Sequence, residues 1–123
     1  MLYRQSLKIA RATLGAQHPD FGAILNNLAT LLRKSGRFEE AEPLFWQAVE
    51  NTRSALGEVH PIFGDHLGNL AALLEDTGRF EEAEPLYRQA EEVLEKSLGP
   101  DHPSTKTVKT NYEHFRANRP SAD

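Results

Sequence analysis

The nine residues GRFEEAEPL at positions 36–44 decide the fold, because they return unchanged at positions 78–86. Outward from this stretch, residues 14–55 align with residues 56–97 without a gap, and 24 of the 42 aligned positions are identical. Self-similarity at a fixed period of this size is typical of repeat architectures, in which each repeat is one supersecondary unit. The sequence therefore predicts a repeat protein with a 42-residue unit.

Each unit is predicted to form two helices. The first covers about residues 20–34, follows a proline that a first helical turn tolerates, and ends before Gly36. Its apolar residues recur at helical spacing and are Ile24, Leu25, Leu28, Leu31 and Leu32. The second helix covers about residues 39–56, starts with glutamates that the helix dipole favours, and ends at Gly57.

The whole chain is predicted to be an all-α superhelix, a solenoid of about six antiparallel stacked helices over residues 1–117. Residues 2–14 align with a second helix alone and form a leading half repeat. Two full repeats follow at 20–56 and 62–98, and a capping half repeat at 104–117 aligns with a first helix alone. The polar residues 118–123 are expected to be a disordered tail.

The capping half repeat has lost one of its two apolar stripes. Positions that hold leucine or alanine in the earlier repeats hold Lys109, Glu113 and Arg116 here, whereas the other stripe remains as Val108, Tyr112 and Phe115. A polar outer face is what the terminal unit of a solenoid needs, because no further repeat covers it.

These residues resemble a known family. Large, small and aromatic residues stand at the offsets of the tetratricopeptide repeat signature: Leu25, Leu28, Ala29, Leu32, Gly36, Phe38, Ala41, Phe45 and Ala48. The 42-residue period, the Leu-Gly and His-Pro pairs between repeats, and the sequence LNNLA at 25–29 resemble the kinesin light chain branch. The resemblance implies a protein-binding module whose first helices line the concave surface and whose asparagines contact the ligand.

Three sets of positions are predicted to face that surface, one on each first helix. They are Ala23, Asn26, Asn27, Thr30 and Lys34, then Asp65, Gly68, Asn69, Ala72 and Asp76, then Thr107, Thr110, Asn111, His114 and Asn118. The predicted peptide contacts among them are Asn26, Asn27, Thr30, Lys34, Asp65, Asn69, Ala72, Asp76 and Asn111. An asparagine amide both donates and accepts, so it can hold a peptide backbone. The alternative is that these asparagines order the helix stack.

Charge is uneven along the predicted surface. Arg33 and Lys34 make the first set basic at its end, whereas Asp65, Glu75 and Asp76 make the second set acidic. A clamp for a terminal carboxylate needs converging cations, which only the first set has. The pattern favours an extended peptide of mixed charge, with an ordinary solvated face as the alternative.

Composition excludes several classes of function. A net charge of -4 argues against nucleic-acid binding, which needs clustered lysine and arginine. The sequence has no cysteine for disulfides or thiolate metal sites, and no apolar run of roughly 18 residues to span a membrane. The expected location is the cytoplasm.

Catalysis and cofactors are not expected. His18, His60 and His102 each precede a proline at the same repeat position, so they are predicted to be helix-start residues rather than shared ligands of a metal. No nucleophile recurs beside them. Trp46 is predicted to point outward from a second helix, either as a contact anchor or flat on its neighbours.

Self-association is the alternative function. The leading half repeat lacks a first helix to cover its flank, which carries Leu7, Ile9 and Leu14. A homodimer that pairs these incomplete ends would bury them.

Overall fold

The chain folds as helices. The computed structural model describes residues 5, 7–9, 11, 12, 15 and 18–119, and over these residues the regular structure is helical, without strands. The complete helices are α1 (Pro19–Lys34), α2 (Phe38–Leu56), α3 (Pro61–Asp76), α4 (Phe80–Leu98) and α5 (Pro103–Asn118). Residues 5, 7–9, 11 and 12 are also helical. The all-α prediction is confirmed, and no helix in these ranges has the length and apolar character needed to cross a membrane.

Two compact units divide the chain. Unit 1, Met1–Glu58, contains α1 and α2, and unit 2, Val59–Asp123, contains α3, α4 and α5. In each unit a three-residue turn joins a first helix to a second helix that packs against it, which makes an antiparallel helical hairpin. In unit 2, α5 packs against both α3 and α4.

Helix boundaries lie close to the predicted ones. The first helices start one residue early, because the proline itself occupies the first helical position. Placing residue 118 in the tail is wrong: α5 continues through Asn118, whose Nδ2 donates to the His114 carbonyl at 2.9 Å. Residues 120–123 of the expected tail, and much of the predicted leading half repeat, lie outside the described residues.

The histidine before each proline caps the helix that follows. In all three first helices its Nδ1 accepts a hydrogen bond from the backbone N–H two residues later, at 3.1 Å. An accepting Nδ1 means that the neutral ring carries its proton on Nε2. The predicted helix-start role of His18, His60 and His102 is confirmed.

Small residues bring the two helices of unit 1 together. Ala29 on α1 and Ala41 and Ala48 on α2 are completely buried, and Leu25 and Phe45 fill the space beside them. Small residues at helix contacts let side chains of the facing helix interdigitate closely. At the far end of α2, Gly57 has a φ of +93° that other residues rarely adopt, and it ends the helix as predicted.

A buried asparagine ties α2 to the start of α1. The Asn51 amide donates from Nδ2 to the His18 carbonyl at 3.0 Å and accepts at Oδ1 from the Gly22 N–H at 3.1 Å. Asn51 thus stands between the two groups that an ordinary first helical turn would join to each other. A Cβ on Gly22 would lie 2.3 Å from Oδ1, so the glycine leaves room for the amide.

Aromatic rings form the core between α4 and α5 in unit 2. Tyr87 stacks on Tyr112 with ring centroids 5.8 Å apart and lies 5.1 Å from Phe115, which also faces Phe80 at 6.1 Å. The prediction that Val108, Tyr112 and Phe115 remain apolar contacts is confirmed, because all three are buried.

The charged stripe of α5 stays at the surface. Glu113 and Arg116 are exposed, and the Arg116 guanidinium lies over the Tyr112 ring at 4.3 Å. Lys109 pairs with Glu95 of α4 at 3.8 Å. The stripe therefore remains charged and solvated, as a terminal face requires.

Unit 2 also contains a polar contact that unit 1 lacks. The hydroxyl of the buried Tyr87 donates to Glu75 Oε1 at 2.7 Å. The corresponding residues of unit 1 are Phe45 and Arg33, which cannot form this bond. A hydrogen bond to a charged acceptor contributes about 1.5–3 kcal/mol when it is shielded from water, so the contact adds to the stability of the α3–α4 hairpin.

We expect Tyr87 and Glu75 to be energetically coupled. In a double-mutant cycle of Tyr87→Phe and Glu75→Ala, followed by urea denaturation, the two losses should be non-additive by about 1 kcal/mol. Additive losses would mean that the hydroxyl and the carboxylate contribute independently.

We also expect the imidazole caps to stabilise the helices they begin. His60→Ala should lower the free energy of unfolding by about 1 kcal/mol, whereas His60→Asn should keep most of it, because asparagine is a strong N-cap. Equal losses in the two variants, measured by chemical denaturation, would contradict a capping role.

Candidate functional site

The accessible strip of α3 consists largely of the residues predicted to contact a ligand. Asp65 and Asp76 are exposed, and Asn69 and Ala72 between them are partly exposed. The rest of the helix is mostly buried, including His66, Leu67, Leu70, Ala71, Leu73 and Leu74. A partner that approaches α3 therefore meets these four side chains on one helix face.

The neighbouring helix α5 adds a polar strip without acidic residues. Asn111 is exposed, as are Thr107 and His114 on the same side of the helix. Helices α3 and α5 pack closely at Gly68, where a Cβ would lie 3.4 Å from Val108 Cγ2. Asn69 and Asn111 are thus carried by two contacting helices of one unit.

On α1 the predicted residues are accessible to different degrees. Asn27 and Lys34 are exposed, and Asn26 and Thr30 are partly buried. The Thr30 hydroxyl donates to the Asn26 carbonyl at 2.8 Å, a bond within the helix itself. Of the four, Asn27 and Lys34 are the side chains that α1 presents most openly to a ligand.

Leu31 is the surface residue that the sequence analysis missed. It is one of the apolar residues whose helical spacing predicts α1, but it is 61% exposed, and its neighbours on the same side, Ile24 and Leu28, are only partly buried. The equivalent residue of α5, Phe115, is 1% exposed. Hydrophobic periodicity identified the stripe, but it does not tell which helix covers it.

The electrostatics of the two units differ at these positions. In unit 2, partial burial of the Asp65 carboxyl raises its pKa, and the electrostatic interaction with the nearby His102 acts in the opposite direction. Asp65 therefore loses its charge at a higher pH than an ordinary surface aspartate does. In unit 1, the repeat position of Asp76 holds Lys34, so the strips of α1 and α3 are opposite in charge.

Trp46 is 37% exposed on α2, as predicted, and its indole N–H donates to Glu42 Oε2 at 3.2 Å. Within residues 18–119 and the described positions before them, no three histidine, aspartate or glutamate side chains are grouped to hold a metal ion.

Comparison with known families agrees with the helical hairpins. Two family models match the chain, over residues 1–61 and 64–104, and both are described as tetratricopeptide repeat. No curated protein matches the sequence significantly. The 42-residue duplication, the hairpins it folds into and the two matches lead to one conclusion: the chain belongs to the tetratricopeptide repeat family.

Proposed function

We propose that this chain binds other proteins by holding an extended peptide segment on the exposed strips of its first helices. Tetratricopeptide repeats are generally protein–protein interaction modules. The observation that carries the proposal is the strip of α3, a largely buried helix on which Asp65, Asn69, Ala72 and Asp76 face solvent along one side, with the exposed Ile62 one turn before Asp65. The side chains that a packed helix exposes can contact a partner without disturbing the packing of its buried side.

The side-chain amides of three asparagines are the proposed contacts to the backbone of the bound peptide. Asn27, Asn69 and Asn111 occupy one repeat position on three first helices, and Asn27 and Asn111 are exposed. An amide donates to a peptide carbonyl and accepts from a peptide N–H, so it supports an extended segment irrespective of its sequence. Charge then supplies preference: Lys34 favours an acidic ligand residue, and Asp65 and Asp76 favour basic ones.

The type of repeat, the mode of action and the cellular location are inferred from the sequence. The 42-residue period and the LNNLA stretch support repeats of the kinesin light chain type. We infer that the protein acts by binding rather than by catalysis. We also infer that it acts in the cytoplasm, because a chain without cysteine forms no disulfides and so does not need an oxidising compartment.

Self-association is the second candidate, and the observation in its favour is Ile9. This helical residue is 66% exposed, and Leu7 on the same segment is partly exposed, whereas Leu14 lies outside the described residues. An exposed apolar patch on a helix can pair with its copy around a twofold axis.

The peptide proposal is tested by removing two amides. Peptides that bind the full chain are first selected from a displayed library of random peptides. Changing both Asn27→Ala and Asn69→Ala in the protein should weaken its binding of these peptides about tenfold, because each substitution removes up to two hydrogen bonds. The melting temperature should change little. Gln47→Ala, at an exposed site on α2, is the matched control. Undiminished binding in the double variant would refute an amide-lined site.

Self-association is tested by light scattering at high protein concentration. If Ile9 forms a dimer contact, Ile9→Glu should convert dimer to monomer, because a buried carboxylate without a partner is strongly unfavourable. Val59→Glu, at an apolar residue that is 82% exposed in unit 2, should leave the dimer intact. A monomer in the unsubstituted protein removes this candidate.

A further inference from the structure

The beginning of the accessible strip of α3 differs from the same place on the other first helices. Ile62 is 41% exposed, and Asp65, three residues later on the same face, is also exposed. The aligned residues are Asp20 and Ala23 on α1 and Ser104 and Thr107 on α5. All three helices begin with the same histidine cap and proline, so helix formation does not require an isoleucine followed by an aspartate here.

The Asp65 carboxylate also differs from other carboxylates of unit 2. Four glutamates of this unit pair with an arginine or a lysine at 2.6–3.8 Å, namely Glu82, Glu84, Glu92 and Glu95. Over the described residues Asp65 has no such pair, and its electrostatic neighbour is His102, the cap of α5. Partial burial raises the pKa of the Asp65 carboxyl, so its ionised form is less well solvated than that of a fully exposed aspartate.

This carboxylate is suited to an incoming cation. Bringing two charges together normally removes water from both of them, and that loss opposes the attraction. At Asp65 part of the water is already absent in the free protein, so less of the attraction is offset. A positively charged group of a ligand would therefore bind here more strongly than at an ordinary surface aspartate.

The adjacent isoleucine indicates which cation fits. Residues three apart on a helix have Cβ atoms about 5–6 Å apart, so one long side chain can touch both Ile62 and Asp65. Arginine has a methylene stem that packs on apolar surface and a polar guanidinium head. The guanidinium offers two parallel N–H donors to the two oxygens of a carboxylate, and it is more weakly hydrated than the ammonium of lysine. Arginine therefore matches both residues.

We propose that Ile62 and Asp65 form a subsite for an arginine side chain of the bound peptide, with the methylene stem on Ile62 and the guanidinium on the Asp65 carboxylate. The inference rests on the proposed peptide-binding function and names the ligand residue that the start of the α3 strip selects. Asn69 lies one turn beyond Asp65 on the same face, so an amide stands beside the subsite. The subsite is specific to α3, since the aligned Ala23 and Thr107 carry no charge.

A double-mutant cycle between protein and peptide tests the subsite. Peptides selected against the full chain from a displayed random library should carry an arginine at one fixed position. Asp65→Asn in the protein should weaken binding about tenfold, as should glutamine in place of that arginine, and the two changes together should weaken it little more than either alone. Lysine at the same position should bind more weakly than arginine, because it lacks the planar fork. Ile62→Ser should weaken binding about threefold through the lost apolar contact.

A control variant and a stability measurement separate this role from a structural one. Glu113→Gln removes a charge from the exposed outer stripe of α5 and should leave the affinity unchanged. Asp65→Asn should leave the melting temperature unchanged or raise it, because the ionised carboxyl is partly desolvated in the free protein. A lower melting temperature with a parallel loss of binding would make Asp65 a structural partner of His102 and overturn the proposal.

Three binding results would also overturn it: selected peptides without a fixed arginine, equal affinity for the Asp65→Asn variant, and additive losses in the cycle. In each case the peptide-binding function still stands if Asn27→Ala with Asn69→Ala weakens binding of the same peptides. Failure to select any peptide would remove the peptide-binding function and the subsite together.

Discussion

A helical hairpin of this kind cannot bury both apolar sides of its first helix by itself, and the rest of the structure follows from that constraint. In unit 1 the hairpin buries one side of α1, at Leu25, Ala29 and Leu32, and leaves the adjacent stripe with Leu31 at the surface. In unit 2 the corresponding stripe of α5 is covered by the helix that precedes it. Stability in such repeats comes from intrinsic hairpin packing plus the contact each unit makes with its neighbour.

The constraint also separates what the sequence predicts from what it leaves open. Helix positions follow from local chemistry: a histidine cap, a first-turn proline and a glycine with positive φ mark the ends, so the predicted boundaries agree with the observed ones to about one residue. Helical periodicity also predicts which residues of α3 form its accessible strip, once the buried sides of the helix are identified. The exposure of Leu31 does not follow, because its stripe has the same pattern as the covered stripe of α5.

For a similar reason, aligning the two repeats does not predict the polar contacts in which the two units differ. Tyr87 and Glu75 form a bond in unit 2, and Asn51 bridges two backbone groups in unit 1, where the aligned residue of unit 2 is Val93. Each contact joins residues that are far apart in sequence, so neither could be assigned before the helices were paired. The two hairpins therefore share one backbone plan while different side chains stabilise them.

The bridge at Asn51 has a consequence for how unit 1 opens. The Gly22 amide proton is held by a side chain of α2 rather than by the carbonyl four residues back. Release of this proton requires the Asn51 side chain and the start of α1 to move apart, rather than the loss of a bond within α1 alone. Its exchange with solvent deuterium thus reports on the contact between α2 and the start of α1, at a position where helix ends usually report only their own local motion.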